Sequence, residues 1–155
     1  MGRQNLPLLD RETYAPAAGV PRGGYVIWEC PNISDKPEVI LIGTGSELHI
    51  ALDAGKILEG KGIMARVVSL PSWKLFDAQP ADYRDSVLPS NIRARVDIEA
   101  ATTMGWERYV GIDGFTLGIP HFGASAPASV LYEKFGLTAQ RMVDEAEILV
   151  KRSRG

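Results

Sequence analysis

From Tyr25 onward the chain alternates between short apolar runs and stretches with a helical period. Tyr25-Val26-Ile27-Trp28 is β-rich and meets a turn signal at Pro31-Asn32. Val39-Ile40-Leu41-Ile42 is a continuous apolar run, the pattern of a strand covered on both faces in a parallel sheet. Gly43-Thr44-Gly45-Ser46-Glu47 breaks that run and opens a helix. Thr44 and Glu47 have capping-box spacing, in which hydroxyl and carboxylate satisfy each other's backbone N–H groups. Leu48, Ala51, Leu52, Gly55 and Leu58 then recur at helical spacing, and Ile57 widens the expected apolar face. Gly60 and Gly62 are stop signals.

Ala65 to Leu70 reads as the next strand, completing a βαβ unit. Pro71-Ser72-Trp73 begins a short helix with Trp73 and Phe76 on one face. A second short helix, around Asp82 to Leu88, carries Tyr83 and Val87. Ile92 to Ile98 and Arg108 to Ile112 are further strand candidates. In the last third, Ser125-Ala126-Pro127 suits a helix start and Gly136 its end. Thr138 is placed to cap a final helix with the apolar stripe Met142, Ala146 and Leu149. Its basic tail, Lys151-Arg152-Ser153-Arg154, suits a helix C-terminus. The whole predicts an α/β domain in three layers around a mostly parallel sheet of about five strands. Residues 1–23, broken by Leu6-Pro7, Ala15-Pro16, Val20-Pro21 and Gly23, read as a lead-in; residues 24–155 read as the domain.

Size and charge narrow the function classes. A chain of 155 residues suffices for one core, and a net charge of -2 without a basic block leaves no footprint for nucleic acid or an anionic membrane. No apolar run approaches the roughly 20 residues of a membrane span, and Met1 to Asp10 lacks the apolar core of a secretory signal. The lone Cys30 fits a reducing, cytoplasmic location.

Candidate chemistry is sparse. The turn at Gly43, Thr44, Gly45 and Ser46 follows a strand and precedes a helix, so its N–H groups could bind an anion. Against this, Leu48 replaces the third glycine of a dinucleotide fingerprint, no P-loop lysine follows, and Glu47 would repel a phosphate. A tight turn with a helix cap is the competing reading. Gly123-Ala124-Ser125 beside His121 lacks a nucleophile elbow, so Ser125 reads as a cap. His49 reads as a surface or half-buried helix residue. Two distant histidines and one cysteine assemble no zinc site. Asp97 and Glu99 share one side of a strand end, where α/β folds bind ligands, although salt bridges would explain them equally. Trp73, Phe76, Trp106 and Phe122 read as core or interface residues.

An ordered series of phrases carries more information than any of these residues singly. Arg3-Gln4-Asn5-Leu6-Pro7, Gly24-Tyr25-Val26, Gly43-Thr44-Gly45-Ser46-Glu47 and Val67-Val68-Ser69-Leu70-Pro71 come first. Phe76-Asp77, Tyr83-Arg84, Val87-Leu88-Pro89, Gly105-Trp106 and Tyr109-Val110-Gly111 follow. Phe122-Gly123-Ala124-Ser125-Ala126-Pro127 and Phe135-Gly136-Leu137-Thr138 complete the series. Together they resemble the C-terminal domain of the transketolase family, over essentially the whole chain.

The resemblance implies a mixed five-stranded sheet with one antiparallel strand, for which Tyr25 to Trp28 is the candidate edge. It implies a part in transferring a two-carbon ketol unit between sugar phosphates, as in the pentose phosphate pathway. Thiamine diphosphate and a divalent metal such as Mg would then bind in preceding domains across a homodimer, with no cofactor in this portion. The partners would be those remaining domains, and the portion alone would be inactive, with a structural or assembly role. A regulatory module binding an anionic metabolite at a glycine-rich turn is the alternative. The arginine of the Arg-Gln-Asn-Leu-Pro phrase contacts the substrate's phosphate in the family, which carries that expectation to Arg3. Gly2 stands where the family has serine, a departure that reads as a shortened start.

Overall fold

A computed structural model describes residues 22–31, 36–99, 105–118 and 138–154. The lead-in through residue 21, the Ser125 to Gly136 helix, and His121 and Phe122 lie outside the described residues. Strands β1 (Tyr25–Glu29), β2 (Val39–Gly43), β3 (Ala65–Ser69), β4 (Arg95–Glu99) and β5 (Phe115–Gly118) form one sheet. The order is β1-β3-β2-β4-β5. β1 runs antiparallel to β3 at one edge, and the other three ladders are parallel. The expected mixed sheet with an antiparallel edge is therefore what forms.

β2 is buried at every position because helices cover both faces of the sheet. Val39 and Leu41 pack towards α1 (Leu48–Gly60) and α5 (Ala139–Arg154), together with Val67, Val96, Ile98 and Leu117. Ile40 and Ile42 pack on the other face, under α2 (Trp73–Asp77), α3 (Ala81–Val87) and α4 (Glu107–Val110). In β1 the register slips between Val26 and Trp28. This bulge lets the consecutive Ile27 and Trp28 both join the α1/α5 core.

Local signals account for the helix ends. Gly62 (φ 80°) lets its own N–H reach the Glu59 carbonyl at 3.0 Å and that of Ile63 reach Leu58 at 2.9 Å, a Schellman closure. Ser72 Oγ accepts from the Leu75 N–H at 3.2 Å, and Thr138 Oγ1 accepts from Arg141 at 3.1 Å. Met142, Val143, Ala146, Leu149 and Val150 form the buried stripe of α5.

Four expectations need correction. The Arg108 to Ile112 segment is not a strand: Glu107–Val110 is a helical turn, and β5 lies beyond it at Phe115–Gly118. Ile92 to Ala94 precede β4 rather than starting it, because the Ile92 N–H closes a turn on the Pro89 carbonyl at 3.1 Å. Ile57 is 37% exposed, and Ile50 and Ala54 fill the core instead. Thr44 makes no side-chain cap, so the capping box does not form as its spacing predicts.

Candidate functional site

The carboxyl ends of β2, β3 and β4 meet where the chain order reverses, the position at which open α/β sheets bind ligands. The buried polar side chains among the described residues, Glu47, Ser69 and Asp97, all lie here. Gly43 pairs with Ser69 on one side and Ile98 on the other, so the turn after β2 sits centrally. Asp97 pairs with Ile42 and alternates with Val96 and Ile98, which directs its carboxylate to the α2–α4 face. It is fully buried.

The turn itself is tight. Thr44 is extended (φ -142°, ψ 154°), Gly45 has φ 55°, and Gly45–Glu47 form one 3-10 turn before α1. The Glu47 N–H donates to the Thr44 carbonyl at 3.1 Å, and the Leu70 N–H donates to Gly43 at 3.2 Å. A Cβ at Gly43 would come within 3.1 Å of the Leu48 Cα, so the strand and helix touch backbone to backbone. Glu47, the last residue of this turn, is buried, and a carboxylate there opposes the approach of an anion. Gly43, Thr44 and Gly45 thus have the geometry of a structural reversal, and the anion-site alternative gains no support from it. Arg3 and the Gly123 to Ser125 turn lie outside the described residues, as do the side chains of Ser46 and Glu99. His49 is half-buried on α1, with Nδ1 shielded and unpaired among the described residues.

Sequence reasoning missed a second polar concentration, at the opposite end of the sheet. An open cleft of about 440 Å³ is lined by Asp77, Arg84, Asp85, Arg95, Arg108 and Tyr109. Asp77 binds Arg108 Nη2 at 2.6 Å and accepts from the Tyr109 hydroxyl at 3.0 Å. Burial, reinforced by the Asp77 carboxylate, pushes the Tyr109 phenol up to about 12. Arg95 donates to the carbonyls of Ile92, Tyr109, Leu88 and Pro89 at 2.9, 2.6, 3.2 and 2.6 Å. Its burial lowers the guanidinium pKa, an effect that Asp85 opposes. Arg84 Nε donates to the Gln79 carbonyl at 3.0 Å. Each arginine is occupied by protein groups, so the cleft is a charge-compensated brace between helices. Arg95 keeps a regular polar place in the Ile92 to Ile98 alternation, so the pattern did not mark it. Among the described residues no three His, Cys, Asp or Glu side chains gather to hold a metal, and no helix is long and apolar enough to cross a membrane.

The family model described as the transketolase-like C-terminal domain matches residues 23–138. A chloroplastic transketolase of Craterostigma plantagineum is 51% identical over 97% of this chain, which spans 28% of that protein. A transketolase from Pichia stipitis, solved with sedoheptulose-7-phosphate, superimposes at a TM-score of 0.82 with 36% identity. That match covers 99% of this chain and 21% of the other. A split-gene transketolase, solved as an inactive β4 tetramer, aligns at a TM-score of 0.59 with 26% identity, over 84% of this chain and 43% of its own.

Proposed function

Because the chain belongs to the transketolase-like C-terminal domain family, we propose that it serves as the C-terminal domain of a ketol-transferring enzyme. The observation that carries this reading is the coverage: 51% identity runs through 97% of the chain yet reaches only 28% of the relative. The remaining length of such relatives supplies the catalytic machinery in this reading. Two-carbon transfer between sugar phosphates then requires this domain joined to the preceding ones, within a homodimer. The phosphorylated sugar bound by the Pichia relative supports that substrate class.

Thiamine diphosphate and its divalent metal find no fit among the described residues. The strand-to-helix turn after β2 carries the buried Glu47, and no acidic cluster for a metal is present among the described residues. We therefore assign the cofactor to the preceding domains and no chemical step to this one. Arg3 is assigned to the substrate phosphate, which a guanidinium grips bidentately. The domain is assigned residues 24–155, with 1–23 as its lead-in, and a reducing cytoplasmic compartment suits its buried Cys30. The inactive split-gene tetramer supports the expectation that the domain alone is inert.

Grafting tests the reading. The 155-residue chain replaces the C-terminal domain of the Craterostigma enzyme, and ketol transfer from xylulose-5-phosphate is assayed. An active chimera is expected, beside an isolated chain that gives no calorimetric signal with thiamine diphosphate. A folded, dimeric but inactive chimera, or tight cofactor binding by the isolated chain, would overturn it.

A further inference from the structure

Residues 22–24 are held far more firmly than a lead-in needs to be. The Ser72 N–H donates to the Gly23 carbonyl at 3.0 Å, and the Tyr83 hydroxyl donates to the Gly24 carbonyl at 2.8 Å. Both glycines are buried although Arg22 is exposed. Gly23 has φ 83°, and a Cβ there would collide with the Phe76 amide nitrogen and the Ser72 carbonyl oxygen. A Cβ on Gly24 would stand 2.7 Å from Phe76 Cδ1. The Arg22 guanidinium lies over the Tyr83 ring, 4.8 Å from its centre. The holding groups are themselves fixed: Phe76 is buried and donates its N–H to the Ser72 carbonyl at 3.0 Å, and Tyr83 stacks edge-on against Phe76 at 6.4 Å.

The chain therefore passes through a fitted notch between α2 and α3 before it enters β1. A glycine at 23 that nothing larger could replace, followed by a second buried glycine and gripped with it through both carbonyls, leaves this stretch little freedom. We propose that this notch is a domain-junction clamp, with Tyr83 as the positioning residue that fixes the direction in which the polypeptide before residue 22 leaves the domain. The inference rests on the reading that catalytic domains precede residue 22; the clamp would hold their orientation relative to this one.

Trypsin reports on the clamp without any assay of ketol transfer. Cleavage after Arg22 needs the Gly23-Gly24 segment drawn out into the protease, hence an opened clamp. The Arg22–Gly23 bond of the 155-residue chain should be cut at least about 100-fold more slowly than in a synthetic peptide of residues 17–28. Tyr83→Phe, which keeps the ring and loses one buried hydrogen bond, should raise the rate about fivefold while the Tm falls by no more than about 4 °C. The Ser72 amide, exchanging slowly in the parent, should lose protection in that variant. Cleavage of the parent at the peptide's rate, or an unprotected Ser72 amide, would overturn the clamp even if Tyr83→Phe failed to fold. An inactive chimera with a slowly cut junction would instead refute the enzymatic reading and leave the clamp standing.

Discussion

Arg66 and Arg95, from neighbouring regions of the sheet, divide the carbonyls at the end of α3 between them. Arg66 Nη1 donates to Ser86 and Val87 at 2.9 and 3.1 Å, and Arg95 Nη2 donates to Leu88 and Pro89 at 3.2 and 2.6 Å. A helix leaves its last four carbonyls without partners and its C-terminus partly negative, and two guanidinium groups answer both needs. Arg66 is held in turn by Glu29 at 2.7 Å. Arg95→Met should destabilise the domain by about 2–4 kcal/mol, since it strips four carbonyls of their donor. Arg66→Met should cost less, and the double variant should depart from additivity by at least about 0.5 kcal/mol. Urea denaturation of all four proteins measures this.

The Tyr109 phenol gives stability a definite dependence on pH. Its value is raised from 10 to about 12 in the fold, so the folded state holds the proton more tightly than the unfolded chain. The resulting stabilisation is complete below pH 10 and is lost as pH rises towards 12. Between those limits the parent should lose stability faster than Tyr109→Phe. Chemical denaturation across that range compares the two, and a shared slope would contradict the assignment.

Two glycines of α1 should respond oppositely to alanine. A Cβ on Gly55 would stand 2.9 Å from Trp28 Cζ3 and 3.0 Å from Val67 Cγ2, so Gly55→Ala should cost about 1–3 kcal/mol. Gly60 faces open space, and Gly60→Ala should gain about 0.5–1 kcal/mol from helix propensity. Thermal melting of both variants decides it.

Threonines with equivalent sequence signals should also separate. Thr138→Ala removes a real cap and should cost about 1 kcal/mol. Thr44→Ala, which removes no cap bond, should stay within about 0.5 kcal/mol of the parent.

In the active chimera, Arg3→Gln should raise KM for phosphorylated sugars about 10–100-fold and leave non-phosphorylated acceptors nearly unaffected. Equal effects on both would remove Arg3 from the phosphate site.

Much of the fold was legible because burial imprints a period. The unbroken Val39 to Ile42 run has the pattern of a central strand, and the Met142, Ala146 and Leu149 stripe has that of one helix face. The fifth strand was misplaced because the Tyr109-Val110 pair looks extended, while its burial comes from packing under Trp73 and Trp106 in a single helical turn. The turn after β2 was legible as a turn, but its means of closure was not: its backbone closes it, and the Thr44 side chain takes no part. The arginine brace was invisible because its acceptors are carbonyls, which every residue possesses and no sequence pattern marks.

The strand order has a kinetic consequence. No two neighbouring strands of the β1-β3-β2-β4-β5 sheet are joined by a hairpin, so every ladder waits on a crossover or a long excursion. β1 emerges first from synthesis but must wait for β2, α1 and β3 before it has a partner. Until then its open edge is a template for foreign strands. A domain wired in this way should fold late and as one event, and a chaperone that shields Tyr25–Glu29 should raise its yield more than one that binds elsewhere.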